Sequence, residues 1–161
     1  MEVAAIIPAY NEDKTIGPIL SVLQKCPQVK QIIVVSDGST DRTVKVALSF
    51  DGVEVVELPC NIGKGGAIMA GLKRTQAEVL LFLDADLIGL TSEHVSSLLT
   101  PVLESNAQMA VGVFERGRMA TDLAQKMAPF LSGQRVLTRN LLEKVVDLDI
   151  SRFGVEVMLH R

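Results

Sequence analysis

Asp84 and Asp86 stand two residues apart where the apolar run Leu80-Leu81-Phe82-Leu83 ends. Desolvating an unpaired carboxylate is costly, so two of them at the end of a buried strand need a cation or hydrogen-bond donors to hold them. A cation held by carboxylates points in turn to phosphate chemistry. The same spacing also suits a plain strand-to-helix turn, with Asp86 accepting from the backbone that follows. Three other clusters carry ligand-type residues: Ala9-Tyr10-Asn11-Glu12, Ser36-Asp37-Gly38-Ser39-Thr40-Asp41 and Asn61-Ile62-Gly63-Lys64-Gly65-Gly66.

Together these clusters have the chemistry of a nucleotide bound with its diphosphate. Asp37 can accept from a base imide or a ribose hydroxyl, and Gly38 permits a backbone geometry that a Cβ resists. Tyr10 can stack on a base or simply pack. Glu12 can bind a ribose, or serve as an acidic first-turn residue favoured by the helix dipole. Asp41, just before Thr43-Val44, fits a helix N-cap. The glycine-rich stretch is not a nucleoside-triphosphate loop, because Lys64 is followed by Gly65 where Ser or Thr belongs. It also departs from the dinucleotide fingerprint, because Gly63-Lys64-Gly65 is followed by Gly66, Ala67 and then Ile68 where the third glycine, or at least alanine, belongs. What remains is a tight turn opening a helix, with free backbone N–H groups and one cation, able to hold a diphosphate or merely to start the helix.

The elements that must position these clusters are legible in the apolar pattern. Short apolar runs at Val3 to Pro8, Gln31 to Val35, Val53 to Leu58, Val79 to Leu83 and Gln108 to Phe114 predict strands buried on both faces. Between them Ile16, Ile19, Leu20 and Leu23, and later Val95, Leu98, Leu99 and Val102, repeat at helical spacing. Pro101 falls inside the later pattern and is expected to kink or shorten that helix. Strands alternating with helices predict an α/β fold around a parallel sheet. Each polar cluster follows a strand, so all four lie along the carboxyl edge, where ligands bind at a topological switch point.

Ile7-Pro8-Ala9-Tyr10-Asn11-Glu12, Asp37-Gly38-Ser39-Thr40-Asp41, Asn61-Ile62-Gly63-Lys64-Gly65 and Asp84-Ala85-Asp86 occur in an order that resembles family 2 glycosyltransferases of the GT-A fold. The resemblance is dense from Val3 to about Leu90. It implies a GT-A, nucleotide-diphospho-sugar transferase-like fold: α/β, a mostly parallel sheet with helices on both faces. It implies one domain over 1–161, with a donor-binding half over 1–90 and an acceptor half over 91–161. By the same resemblance Asp86 binds a divalent ion, Mg²⁺ or Mn²⁺, and is catalytic. Asp84 contacts the ribose side, Pro8, Tyr10 and Glu12 surround the nucleoside, Asp37 meets the base, and Lys64 lies near the donor. The family commonly shows Asp-Asp-Gly-Ser where this chain has Ser36-Asp37-Gly38-Ser39.

The last third should hold the acceptor. Leu131-Ser132-Gly133-Gln134-Arg135-Val136 and Phe153-Gly154-Val155-Glu156-Val157 resemble a subgroup that includes glucosyl-3-phosphoglycerate synthases and polyprenyl-phosphate glycosyltransferases. Ser132-Gly133-Gln134 suits a turn that receives the acceptor. Arg135 can pair with an acceptor phosphate, since its fork matches phosphate oxygens, or share a solvated helix face with Arg139. Glu156 suits a base or a group orienting an acceptor hydroxyl, or is an ordinary helical glutamate. The interval from Phe114 to Ser132 is short for the subgroup. The sequence given ends at His160-Arg161, where relatives continue, and His160 can be a remnant of a metal-proximal site or a surface residue.

The expected function is thus a metal-dependent glycosyltransferase acting from a UDP- or GDP-sugar on a hydroxyl or phosphate-bearing acceptor, either a small molecule or a lipid phosphate. A non-catalytic nucleotide-sugar binding module is the alternative. A nucleotidyltransferase fits less well, because Ala9-Tyr10-Asn11-Glu12 replaces the glycine-rich activating loop near the first strand.

Composition sets the outer bounds. With 161 residues, 48% of them hydrophobic, the chain can bury one real core. A net charge of -3 with both signs scattered gives no basic stripe for nucleic acid. No apolar run approaches the roughly 20 residues of a membrane span, though peripheral membrane contact remains compatible. Cys26 and Cys60 form neither a metal spacing nor a disulfide framework and are expected to be buried thiols, which together with the absence of a basic leader suggests the cytoplasm. Met127, Phe130 and Leu131 need cover and are compatible with a homo-oligomer.

Overall fold

The computed structural model describes residues 1–112 and 133–145. Within them β1 (Val3–Ala9), β2 (Val29–Asp37), β3 (Val53–Leu58), β4 (Val79–Phe82), β5 (Met109–Gly112) and β6 (Gln134–Thr138) form one sheet in the order β3-β2-β1-β4-β6-β5. The first four are mutually parallel, and β6 is antiparallel to both β4 and β5. Alternate residues of each buried strand feed opposite faces, as the two-residue period of a strand requires. Val3, Ala5, Ile7 and Ala9 join the core layer under α1 (Ile16–Gln24), α2 (Thr43–Leu48) and α4 (Ser92–Glu104), while Ala4 and Ile6 join the layer under α3 (Lys64–Leu72). Leu141 and Leu142, in helical residues 139–145, pack on that second layer.

Both helices predicted from spacing bury the expected residues: Ile16, Ile19, Leu20 and Leu23 on α1, and Val95, Leu98, Leu99 and Val102 on α4. Pro101 does not cut α4 short; the helix runs on to Glu104. The carbonyl deprived of its donor belongs to Ser97, which is exposed and so open to solvent. The start of α4 is fixed by a capping box, with His94 N–H donating to the Thr91 hydroxyl and Thr91 N–H to His94 Nδ1.

Two further expectations are corrected. Cys26 is buried, but Cys60 is exposed, because it follows Pro59 in the loop beyond the end of β3 rather than on the strand. Gln134 and Arg135 are on neither a turn nor a helix face: both lie in β6, a strand that enters the sheet between β4 and β5, and of the expected Ser132-Gly133-Gln134 turn the described part is Gly133, a bend at φ 81° just before the strand. The β5 prediction holds over Met109–Gly112. Phe114, Met127, Phe130, Leu131, Ser132, Phe153, Gly154, Glu156 and His160 lie outside the described residues.

The strand order places the switch point between β1 and β4, since the chain winds outward through β2 and β3 and then returns to the other side of β1. Pro8 helps to open it. The β1–β4 register ends at Ile6↔Phe82, where the Leu83 N–H donates to the Ile6 carbonyl at 3.3 Å. Two residues on, the same side of β1 would have to offer the Pro8 N–H, which does not exist, so the pairing ends there.

Candidate donor site

A cavity of about 380 Å³ opens at that switch point. Pro8, Tyr10, Glu12, Asp37, Lys64, Asp84 and Asp86, all expected from sequence, line it, and Ala9, Asn61, Gly63 and Ala85 complete the wall. Asn61 and Gly63 belong to a motif recognised in the sequence; what the motif alone did not reveal was that their own atoms face the cleft.

Each wall is fixed by the loop behind it. Asn11 sits at φ 52°, a left-handed conformation that Asn tolerates better than most residues. From there its side-chain oxygen accepts from the Thr40 N–H at 2.8 Å and the Asp41 N–H at 3.3 Å, and its own N–H donates to the Ser39 hydroxyl at 3.1 Å. The Glu12 N–H donates to the Thr43 hydroxyl at 2.9 Å. The β1–α1 and β2–α2 loops are therefore interlocked, which presents Tyr10, 47% exposed, at the rim and Glu12 inside it.

Asp41 is not the N-cap of α2, a position taken by Arg42. Its carboxylate accepts from the Thr43 N–H at 2.9 Å and from the Thr43 hydroxyl, and receives the Asp13 N–H at 3.3 Å. Burial pushes this carboxyl up, but those hydrogen bonds to the ionised form outweigh it and leave Asp41 below the ordinary carboxylate value.

Asp37 is 4% exposed and clamps the glycine turn, accepting from the Ile62 N–H at 2.8 Å and the Gly63 N–H at 3.0 Å. Those two amides are consequently not free to receive a phosphate. The turn packs closely on Gly38, whose φ of +76° and absence of a Cβ let the Cys60–Asn61 backbone pass. From Gly63 the chain enters α3, placing Lys64 in the first turn, where its ammonium pairs with the Asp84 carboxylate.

Asp86 is exposed at the cleft and Asp84 is partly buried. Between them the Ala85 carbonyl accepts from the Thr15 hydroxyl at 2.7 Å. Arg135 stands opposite Phe82 in the β4–β6 register and is 1% exposed. Among the described residues its three guanidinium nitrogens have no hydrogen-bond partner. Burial lowers its pKa, and the negative charge of Asp84 works against that shift. The suggested companion Arg139 is not on a solvated face either; it donates to the Ala77 carbonyl at 2.8 Å and the Thr75 carbonyl at 3.0 Å.

The charge balance decides what the cleft can hold. Among the described lining residues Glu12, Asp37, Asp84 and Asp86 oppose one cation, Lys64, so these groups by themselves would repel a diphosphate. Among the described residues no group of three or more His, Cys, Asp or Glu could hold a metal ion. An exposed Asp86 beside an already paired Asp84 therefore fits a hard divalent ion that takes most of its ligands from phosphate oxygens and water, as Mg²⁺ commonly does.

Comparison with known proteins agrees with this architecture. The sequence profile of glycosyl transferase family 2 matches residues 4–156. A dolichyl-phosphate beta-glucosyltransferase of Drosophila melanogaster is 39% identical over 101 residues, covering 53% of this chain and 31% of that protein. A glucosyl-3-phosphoglycerate synthase of Mycolicibacterium smegmatis is 32% identical over 123 residues, covering 71% of this chain and 40% of that protein. The crystal structure of the Mycobacterium tuberculosis glucosyl-3-phosphoglycerate synthase, in complex with Mn²⁺, uridine diphosphate and glucosyl-3-phosphoglycerate, superimposes with a TM-score of 0.73 at 28% identity, covering 88% of this chain and 58% of that one. The chain thus spans well under two thirds of the length of these relatives. Among the described residues no helix is long and apolar enough to cross a membrane.

Proposed function

The chain belongs to glycosyl transferase family 2, and from that premise we propose that it transfers a sugar from a nucleoside-diphosphate donor, UDP-linked in the first instance, to a phosphate-bearing acceptor. The observation that carries this reading is the switch-point cavity, where residues from four separate loops meet around an acidic floor. Tyr10 and Glu12 hold the nucleoside, Tyr10 by stacking and Glu12 by accepting from the ribose. Asp37 acts chiefly by fixing the turn that faces the base, with the outer lone pairs of its carboxylate left for the ligand. Asp86 holds Mg²⁺ or Mn²⁺ with the diphosphate oxygens, and the ion when bound neutralises the charge that develops on the departing nucleoside diphosphate. Lys64 adds a second positive charge on the same side.

The acceptor half is proposed at Arg135, which is buried and is not among the described residues that line the donor cleft, so its support is the family resemblance and its unpaired charge. An ionised guanidinium without partners is costly to bury, and an acceptor phosphate would supply both the charge and the paired oxygens that it lacks. This suits glycerate-type phosphates and polyprenyl phosphates alike, the acceptor classes in the names of its relatives. For a hydroxyl acceptor Glu156 is proposed as the base that takes the hydroxyl proton or as the group that orients that hydroxyl; a polyprenyl phosphate attacks through an already ionised oxygen and needs no base.

Titration calorimetry with UDP, with and without Mn²⁺, tests the donor assignment. Mn²⁺ is expected to strengthen UDP binding to the wild type and to have no effect on Asp86→Ala. Unchanged metal-dependent binding in that variant removes Asp86 from the site. Turnover of UDP-glucose with phosphoglycerate or a short polyprenyl phosphate then separates a transferase from a module that binds donor without reacting.

A further inference from the structure

We infer that Thr15 is a positioning residue that ties the metal-side carboxylates to the nucleoside side of the cleft, so that metal and nucleotide bind as a unit. The inference rests on the donor-site reading above and adds a residue that does not line the cavity. Thr15 is the N-cap of α1, yet its side chain does not cap that helix. Its hydroxyl lies 2.7 Å from the Ala85 carbonyl, 3.2 Å from Glu12 Oε2 and 3.5 Å from the Glu12 carbonyl. The single hydroxyl proton goes to the closest acceptor, Ala85, a buried residue lying between Asp84 and Asp86.

Three features make this contact more than local packing. Ala85 and Thr15 are 70 residues apart in sequence, and the bond crosses the switch point just where β1 and β4 have stopped pairing. Among the described residues no ladder bond fixes the Asp84–Asp86 turn beyond Leu83, so two cross-loop donors hold it, the Lys64 ammonium at Asp84 and the Thr15 hydroxyl at Ala85. With that proton committed to Ala85 the hydroxyl gives none to the Glu12 carboxylate; Thr15 is instead tied to Glu12 through its backbone, its N–H donating to the Glu12 carbonyl at 3.2 Å, and Glu12 lines the wall assigned to the nucleoside. Occupation of the nucleoside wall and of Asp86 by a cation therefore act through one hinge point, and each should reinforce the other through linkage.

The test compares Thr15→Val, which keeps the shape and removes the donor, with Thr15→Ser, which keeps the donor. UDP binding is measured by calorimetry with and without Mn²⁺, at a temperature where circular dichroism shows each variant folded. Thr15→Val is expected to lose about tenfold of the Mn²⁺-dependent gain in UDP affinity while metal-free UDP binding stays within about twofold of wild type, and Thr15→Ser restores the gain. A merely structural role would lower the unfolding temperature and leave that gain intact. A folded Thr15→Val with the wild-type gain, or a Thr15→Ser as impaired as Thr15→Val, overturns the inference while leaving the donor site standing. A wild type without any Mn²⁺-dependent gain refutes the donor-site reading and this inference with it. If Thr15→Val does not fold, Thr15→Ala serves the same comparison.

Discussion

Replacing Gly38 by alanine should damage the cleft far more than the same change at Gly52, although the two glycines have almost the same backbone conformation, φ +76° and +78°. Both alanines would pay the left-handed strain of an L residue, about 1–2 kcal/mol. Only at Gly38 does the new Cβ meet protein: it would lie 2.5 Å from the Asn61 nitrogen and 2.7 Å from the Cys60 carbonyl carbon, whereas nothing stands within 4 Å at Gly52. Real Cβ atoms essentially never come closer than 3.0 Å, so the loop carrying Asn61 and Gly63 must retreat by about 0.5 Å. Overpacking against backbone adds about 1–3 kcal/mol. The expected destabilisation is then about 1–2 kcal/mol for Gly52→Ala and about 2–5 kcal/mol for Gly38→Ala. Urea unfolding of both variants measures the difference, and UDP calorimetry should show weakened binding for Gly38→Ala alone, because the displaced loop loses its register with Asp37. Equal costs in the two variants would refute the argument that this glycine is required by the close passage of the loop.

Two other outcomes follow from charge. Arg135→Met should raise the unfolding free energy by about 1–3 kcal/mol, since it removes a buried cation with no hydrogen-bond partner among the described residues, and should abolish binding of the phosphate-bearing acceptor with UDP affinity unchanged. A loss of stability in denaturant unfolding would instead mean that the fold itself pairs this guanidinium. Asp41 has its carboxyl held below the ordinary value of 3.8 in the folded chain, so the unfolded chain takes up the proton first as pH falls. The stability that Asp41 contributes is therefore present above 3.8 and lost as pH falls through the lower folded value. The gap between wild type and Asp41→Asn in thermal unfolding should be widest near about pH 6 and close below that window; a gap independent of pH would contradict the hydrogen-bonding account.

The first four strands were legible because β1 to β4 carry apolar residues on both faces and each ends in residues unsuited to a core. That rule places Tyr10, Asp37, Lys64 and Asp84 at one sheet edge, where the cavity lies. The residues behind the wall were harder to see. Asn11 and Thr15 look like ordinary turn and cap residues, and their long-range partners become visible only once the loops are folded together. The β6 strand was hidden for another reason. It opens with Gln134-Arg135, residue types that normally mark a surface, and only Val136 and Leu137 supply apolar signal. A buried cation contradicts the binary pattern that sequence reading depends on, and such contradictions concentrate where a ligand is to be met. The assignment of Asp41 failed by one residue, since an Asx-type bond to an amide two positions on resembles a cap in sequence.

The place of β6 in the sheet also sets an order of assembly. β5 precedes β6 in the chain, yet among the described residues its one sheet partner is β6, so it can pack on α4 but joins the hydrogen-bonded ladder only once β6 has paired with β4. Until Gln134–Thr138 emerges, the Val79–Phe82 strand is an open edge of four buried-type residues, with unpaired backbone groups ready to recruit another chain. The five-residue strand β6 thus does two things in the sheet: it closes the β4 edge and gives β5 its seat.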